Sequence, residues 1–96
     1  MDHGFHLEFA PSATRHRIGR DRIRYVIEHC PTPLFAPDDD PGGQDRVVFL
    51  GSDSAGVPLE IVAIEGTDGG LLVIHAMRLR RRYREDYRHV TEGRRP

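Results

Sequence analysis

Between Arg46 and Met77 three apolar runs are separated by two short glycine-bearing turns. Connections that short join only neighbouring antiparallel strands, so this half of the chain has little choice of topology. Val47, Val48, Phe49 and Leu50 stand in a row, the pattern of a strand covered on both faces. Ser52 to Gly56 has hairpin length and leads into a strand from Val57 to Glu65. The run Gly66-Thr67-Asp68-Gly69-Gly70 turns the chain again, and Leu71 to Met77 completes a three-stranded meander.

The first half is organised differently. Phe5 to Phe9 alternates apolar and polar residues and reads as a short strand. Pro11 and Ser12 open a helical stretch to about Arg17, with Ser12 as its N-cap. Gly19 is costly inside a helix, so a second helix is expected from Arg20 to His29 with Gly19 capping it. That division sets Ile18 and Ile23 at the two positions of a hydrophobic staple, and Ile23, Val26 and Ile27 share one face. Pro31 and Pro33 end the helix, and residues 36–45 form a turn-rich loop with four aspartates. At the other end, Leu79, Tyr83, Tyr87 and Val90 make one stripe of a final helix. The expected fold is α+β: a short N-terminal strand, two helices, a three-stranded antiparallel meander and a C-terminal helix, with the helices on one face.

The 96 residues suit one domain, taken as 1–96, and the apolar content is too high for a disordered chain. No apolar run is longer than that from Leu71 to Ile74, far short of a membrane span, and the start of the chain lacks the pattern of a secretory signal. A single cysteine, Cys30, fits a reducing compartment, so a cytoplasmic location is expected.

A net charge of -1 conceals strong segregation. Asp38, Asp39, Asp40 and Asp45 fall in one loop, whereas Arg78, Arg80, Arg81, Arg82 and Arg84 fall at the junction of the last strand and helix. A second cluster, Arg15, Arg17, Arg20, Arg22 and Arg24, is relieved only by Asp21. All 14 Lys/Arg positions are arginine, a preference that codon bias in a GC-rich genome explains as well as the planar fork with which arginine grips phosphate at two points. With Leu79 and Tyr83 turned inward, Arg78, Arg81 and Arg82 are left either to hold consecutive phosphates of a single strand or to form a plain solvated helix face. Tyr83 is an inward anchor with its hydroxyl at the rim.

Strand alternation places His75 with Leu71, Val73 and Met77, and sets Glu60 as an acid in mid-strand. Pairing through the Gly66–Gly70 turn puts Glu60 directly opposite His75, and a carboxylate beside an imidazole is the arrangement that acid-base catalysis uses. The same pair also suits a plain cross-strand contact on a wet surface. His16, in Arg15-His16-Arg17, lines the site, caps the helix, or is a lone exposed histidine with no role, the commoner case. His3 with His6, and His29 with Cys30, lack the companion spacing of a metal site, so neither metal nor cofactor is expected. Phosphate-binding glycine loops and the Gly-x-Ser-x-Gly elbow are absent, which removes support from most enzyme classes.

The stretch from Arg46 through Gly51 and Gly56 to Val62, followed by Ile74-His75-Ala76-Met77-Arg78-Leu79-Arg80, resembles the BrnT-like toxins of the RelE ribonuclease superfamily. Arg15-His16 falls where those toxins often carry a lysine and a histidine. The resemblance spans about residues 5–90. It implies a RelE-like fold and a small bacterial toxin of a type II toxin-antitoxin system, cleaving RNA without metal and neutralised by a cognate antitoxin protein. In such enzymes a base activates the ribose 2′-hydroxyl and arginines stabilise the transition state. Where the family often reads Ile-Ser-Ala-Arg, this chain has Ile74-His75-Ala76-Met77, its arginine moved to Arg78. On this reading His75, Glu60 and Arg78 are catalytic, and Arg81, Arg82, His16, Arg15 and Tyr83 bind RNA. The rival is a non-catalytic module whose arginines hold RNA, or dock on an acidic segment of a partner protein.

Overall fold

The computed structural model describes residues 6–36, 45–66 and 69–92. Residues 38–40 of the aspartate-rich loop, and His3, lie outside them. The elements are β1 (Leu7–Phe9), a 3₁₀ turn (Pro11–Thr14), α1 (Arg20–His29), β2 (Leu34–Ala36), β3 (Arg46–Ser52), β4 (Pro58–Glu65), β5 (Leu71–Arg78), a second 3₁₀ turn (Arg81–Tyr83) and α2 (Arg84–Glu92). The fold is α+β, built on one five-stranded sheet of order β1-β5-β4-β3-β2. No helix among the described residues is long and apolar enough to cross a membrane.

The central meander β3-β4-β5 is antiparallel, as its short turns require. The two edges extend it. β2 adds three residues antiparallel to β3, a segment too short to leave a periodic signature behind Pro33. β1 lies parallel to β5, so the sheet is mixed rather than wholly antiparallel. Gly70 makes that edge possible, because a Cβ there would stand 2.5 Å from the carbonyl oxygen of His6.

The helices cover opposite faces of the sheet, not one. On one side Ile23, Val26 and Ile27 of α1 pack with Ala13, Ile18, Phe49, Leu59, Ile61, Ala63, Val73 and Ala76. On the other, Leu79, Tyr83 and Tyr87 close over Val48, Leu50 and Val62, with Leu34 and Ile74 beside them. The reason lies in β3, whose consecutive apolar residues present a hydrophobic row to each face, and each row must be removed from water. α1 starts and ends where its glycine cap and staple place it, with Gly19 extended and Ile18 and Ile23 both buried. The stretch after Pro11 is a single 3₁₀ turn, and Ser12 is not its cap.

Ser12 has another use. Val62 pairs with His75 and Ala63 with Val73, which leaves Ile74 as an extra residue in β5, a β-bulge. The Ser12 hydroxyl donates to the Ile74 carbonyl at 2.6 Å, and the Ala10 amide donates to Val73 at 2.9 Å, so the chain after β1 is laced to the bulge. At the far end of the sheet Asp53 is buried in the β3–β4 turn. Its Oδ1 accepts from the amides of Ala55 and Val57, and its Oδ2 accepts from Arg22 Nε at 2.8 Å, pinning α1 to the turn. The Val57 amide, with further help from Arg22 and Ala55 and against the opposing pull of burial, holds the Asp53 carboxyl below its ordinary range.

Replacing Ser12 by alanine should cost about 1 kcal/mol, since the bulge carbonyl loses its donor. Urea unfolding should show a lower midpoint at unchanged slope; an unaltered midpoint would show that water serves Ile74 equally well.

Candidate functional site

The site begins with a buried acid. Glu60 lies mid-strand in β4 with its side chain wholly out of water, an arrangement that is costly unless every carboxylate oxygen is matched. Oε1 accepts the backbone amide of Arg80 at 2.8 Å. Oε2 accepts Arg80 Nε at 2.8 Å and Nη2 at 2.6 Å, and lies 3.2 Å from His75 Nε2. Burial pushes the Glu60 pKa up, but the hydrogen bonds and charge of Arg80, joined by His75, outweigh it, and the net shift is downward. The carboxylate is therefore ionised and can only accept, which puts a hydrogen on His75 Nε2 and, in the neutral ring, the lone pair on Nδ1.

The bulge decides where His75 points. Regular alternation would set it with Leu71 and Val73; instead those two pack under α1, while Ile74 and His75 both line a groove on the α2 side. Glu60 pairs across the ladder with Met77, two residues beyond the expected register, and meets His75 as a diagonal neighbour on the same face. The shift of two keeps both side chains on one side of the sheet. Partial burial lowers the His75 pKa; the Glu60 hydrogen bond and charge act against this, and the charges of Arg80 and His16 add to it. The net direction is down, because burial, joined by the smaller effects of Arg80 and His16, outweighs the pull of Glu60.

The groove encloses about 450 Å³. Its floor is Val48, Val62, Ile74 and Ala36, and its polar lining is His75, Arg46, Arg80, Arg82 and Tyr83. The Arg82 guanidinium lies over the Tyr83 ring at 5.1 Å and that of Arg80 at 6.0 Å. Arg80 stays protonated, its pKa raised first by the hydrogen bond to Glu60, although its side chain is 42% exposed. His16, exposed between the first 3₁₀ turn and α1, meets the His75 ring edge to face at 5.8 Å.

Of the residues picked out in the sequence, the fold brings His75, Arg82 and Tyr83 to the groove, with Glu60 buried beside His75, while His16 touches the His75 ring without lining the groove. It does not bring Arg78 to them. Arg78 pairs with Leu59 and so shares the α1 face, and Arg80 takes the place expected for it. Arg81 and Arg15 are exposed and do not line the groove. Arg80 and Arg46 were missed. A buried mid-strand glutamate announces that some cation must meet it, but five nearby arginines leave the choice to the turn after β5. The final helix is also shorter than its apolar stripe suggests. The Glu60 bond to the Arg80 amide accompanies an extended chain at Arg80, and α2 starts only at Arg84.

No protein-family model, no curated protein and no solved structure matches this chain.

Arg80→Met should destabilise the protein by about 2 kcal/mol, less than the ~3–5 of a fully enclosed pair because the guanidinium is partly in water. Acid should weaken the fold in two stages. Unfolded histidine takes a proton below its ordinary 6.5 while folded His75 resists, so stability falls as pH drops through that value. The contribution of Glu60 is complete above its ordinary 4.5 and disappears as pH falls through its lowered folded value. Denaturant midpoints against pH for the wild type and His75→Gln should differ in the upper stage alone.

Proposed function

We propose that this chain is a metal-independent endoribonuclease of the RelE-like, BrnT-like kind, the toxin of an antitoxin-paired system. The observation that carries this reading is the His75 imidazole, held through Nε2 by a buried carboxylate at a groove lined by three arginines. Nδ1 accepts the proton of a ribose 2′-hydroxyl, and the oxygen attacks the adjacent phosphorus to give a 2′,3′-cyclic phosphate. Arg80 and Arg82 face the extra negative charge of that transition state, with the geometry of preorganised cations rather than recruited ones. Glu60 acts through its neighbours, fixing the ring of His75 and the fork of Arg80. The Tyr83 ring and the apolar floor suit the stacking of an unpaired base, and exposed Arg15 and Arg81 add long-range attraction for phosphate. The 2′-hydroxyl requirement makes RNA the substrate and DNA at most a ligand.

The toxin role rests on the resemblance, and it brings a cognate antitoxin as partner and the cytoplasm as the place of action. An acidic antitoxin segment laid in this groove would meet Arg46, Arg80 and Arg82 and exclude RNA. One observation favours a binding module instead: the contacts of Glu60 also secure the chain reversal into α2, so they have a use without turnover.

Purified protein should cleave RNA in EDTA, leaving cyclic-phosphate ends, and His75→Ala should reduce the rate by about 10²–10⁴-fold at an unchanged circular dichroism spectrum. Equal rates would remove His75 from the mechanism. Salt-sensitive retention of RNA with no products would establish the binding module.

A further inference from the structure

We infer that His16 is the general acid of this site, working opposite His75 as the base; the inference rests on the ribonuclease reading above. Its basis is how the fold presents an otherwise unremarkable surface histidine. The connection that carries His16 is anchored at both ends, by Ala13 and Ile18, each buried under α1. On the sheet side it is tied down by the Ser12 bond to Ile74, the bulge residue next to His75 itself. Within this short arch Arg17 adopts a left-handed backbone, φ 65, the single non-glycine residue with positive φ among those described. An arginine gains nothing from that conformation and strain is borne there, as it is at positions whose geometry is imposed by a site. The result is that the His16 ring is set edge to face against the His75 ring, at 5.8 Å between centroids.

Two imidazoles so placed complete the proton bookkeeping that one leaves open. As His75 takes the 2′-hydroxyl proton, the 2′-oxygen forms its bond to phosphorus and the bond from phosphorus to the 5′-oxygen breaks. The departing oxygen needs a proton, and protonated His16 supplies it, leaving a cyclic phosphate, a free 5′-hydroxyl, a protonated His75 and a neutral His16. Glu60 cannot be the donor, since it is ionised and sealed from the groove, and the arginines do not release protons. Histidine is the side chain suited to give one up near neutral pH. His75 and His16 differ in their surroundings in the way their roles require: the base is partly buried and held by a carboxylate, while the acid is exposed at the water side of the same contact.

The test uses the intact protein with a short RNA holding one cleavable linkage, and its counterpart whose leaving 5′-oxygen is replaced by sulfur. A thiolate departs without a proton. His16→Gln should lose about 10²-fold or more on the oxygen substrate and recover to within a few-fold of wild type on the sulfur substrate, while His75→Gln stays impaired on both. His16→Arg keeps a cation but cannot donate, and should behave like His16→Gln on the oxygen substrate. Equal impairment of His16→Gln on both substrates, or full activity of His16→Arg, would overturn the inference in favour of phosphate binding or a structural role. Wild-type protein that cleaves neither substrate would remove the ribonuclease reading and this inference together, whereas wild-type cleavage with unaffected His16→Gln would remove this inference alone.

Discussion

A carboxylate with no access to water sits at the centre of this molecule, and much of the surrounding geometry follows from the need to match it. Glu60 is flanked in β4 by Leu59 and Ile61, which belong to the α1 core, so the strand cannot turn the acid toward solvent without exposing that core. Its charge must be met where it is. Arg80 meets it with both its main chain and its side chain, and in doing so determines where β5 ends, where the chain reverses and how α2 returns over the sheet. Leu79 and Tyr83, on either side of Arg80, are thereby delivered to the second apolar cluster. One ionic contact thus joins the stability of the fold to the shape of the groove.

The bulge at Ile74 is the complementary device. In a regular ladder a histidine at position 75 would follow Leu71 and Val73 toward α1. One unpaired residue sends it to the other face, beside Glu60 and into a polar setting. The carbonyl left at the bulge is taken by Ser12, from the same connection that carries His16. The N-terminal segment is therefore part of the site, although it lies some sixty residues away along the chain. Charge segregation has its meaning in the same place: Arg46, at the start of β3, and Arg80 and Arg82, in the turn after β5, line one groove because the chain leaving β5 folds back over the face of the sheet at Leu79 and Tyr83.

Much of this was readable in the residues alone. The meander, the limits of α1, its glycine cap and staple, and the inward stripe of Leu79, Tyr83 and Tyr87 rest on local rules: turn chemistry, cap preference and periodicity, each acting within a few residues. The acid and the imidazole were legible as candidates, but they share a face only because a one-residue offset at the turn and the one-residue bulge at Ile74 add up to a shift of two. The run Val47 to Leu50 even announced cover on both faces, a signal at odds with helices gathered on one side.

What local chemistry could not decide was which partners long-range contact would select. Nothing near Arg80 distinguishes it from Arg78 or Arg81; the choice depends on where the chain leaves the sheet relative to a glutamate twenty positions earlier. The parallel pairing of β1, the short edge β2, the bulge and the meeting of His16 with His75 each need two remote segments brought into register. Residue pattern determined the elements and the kinds of groups available, because propensity and periodicity act over a single turn or strand. Tertiary packing alone decided which of those groups touch, because burying two apolar faces and one charge at once leaves few ways to close the chain.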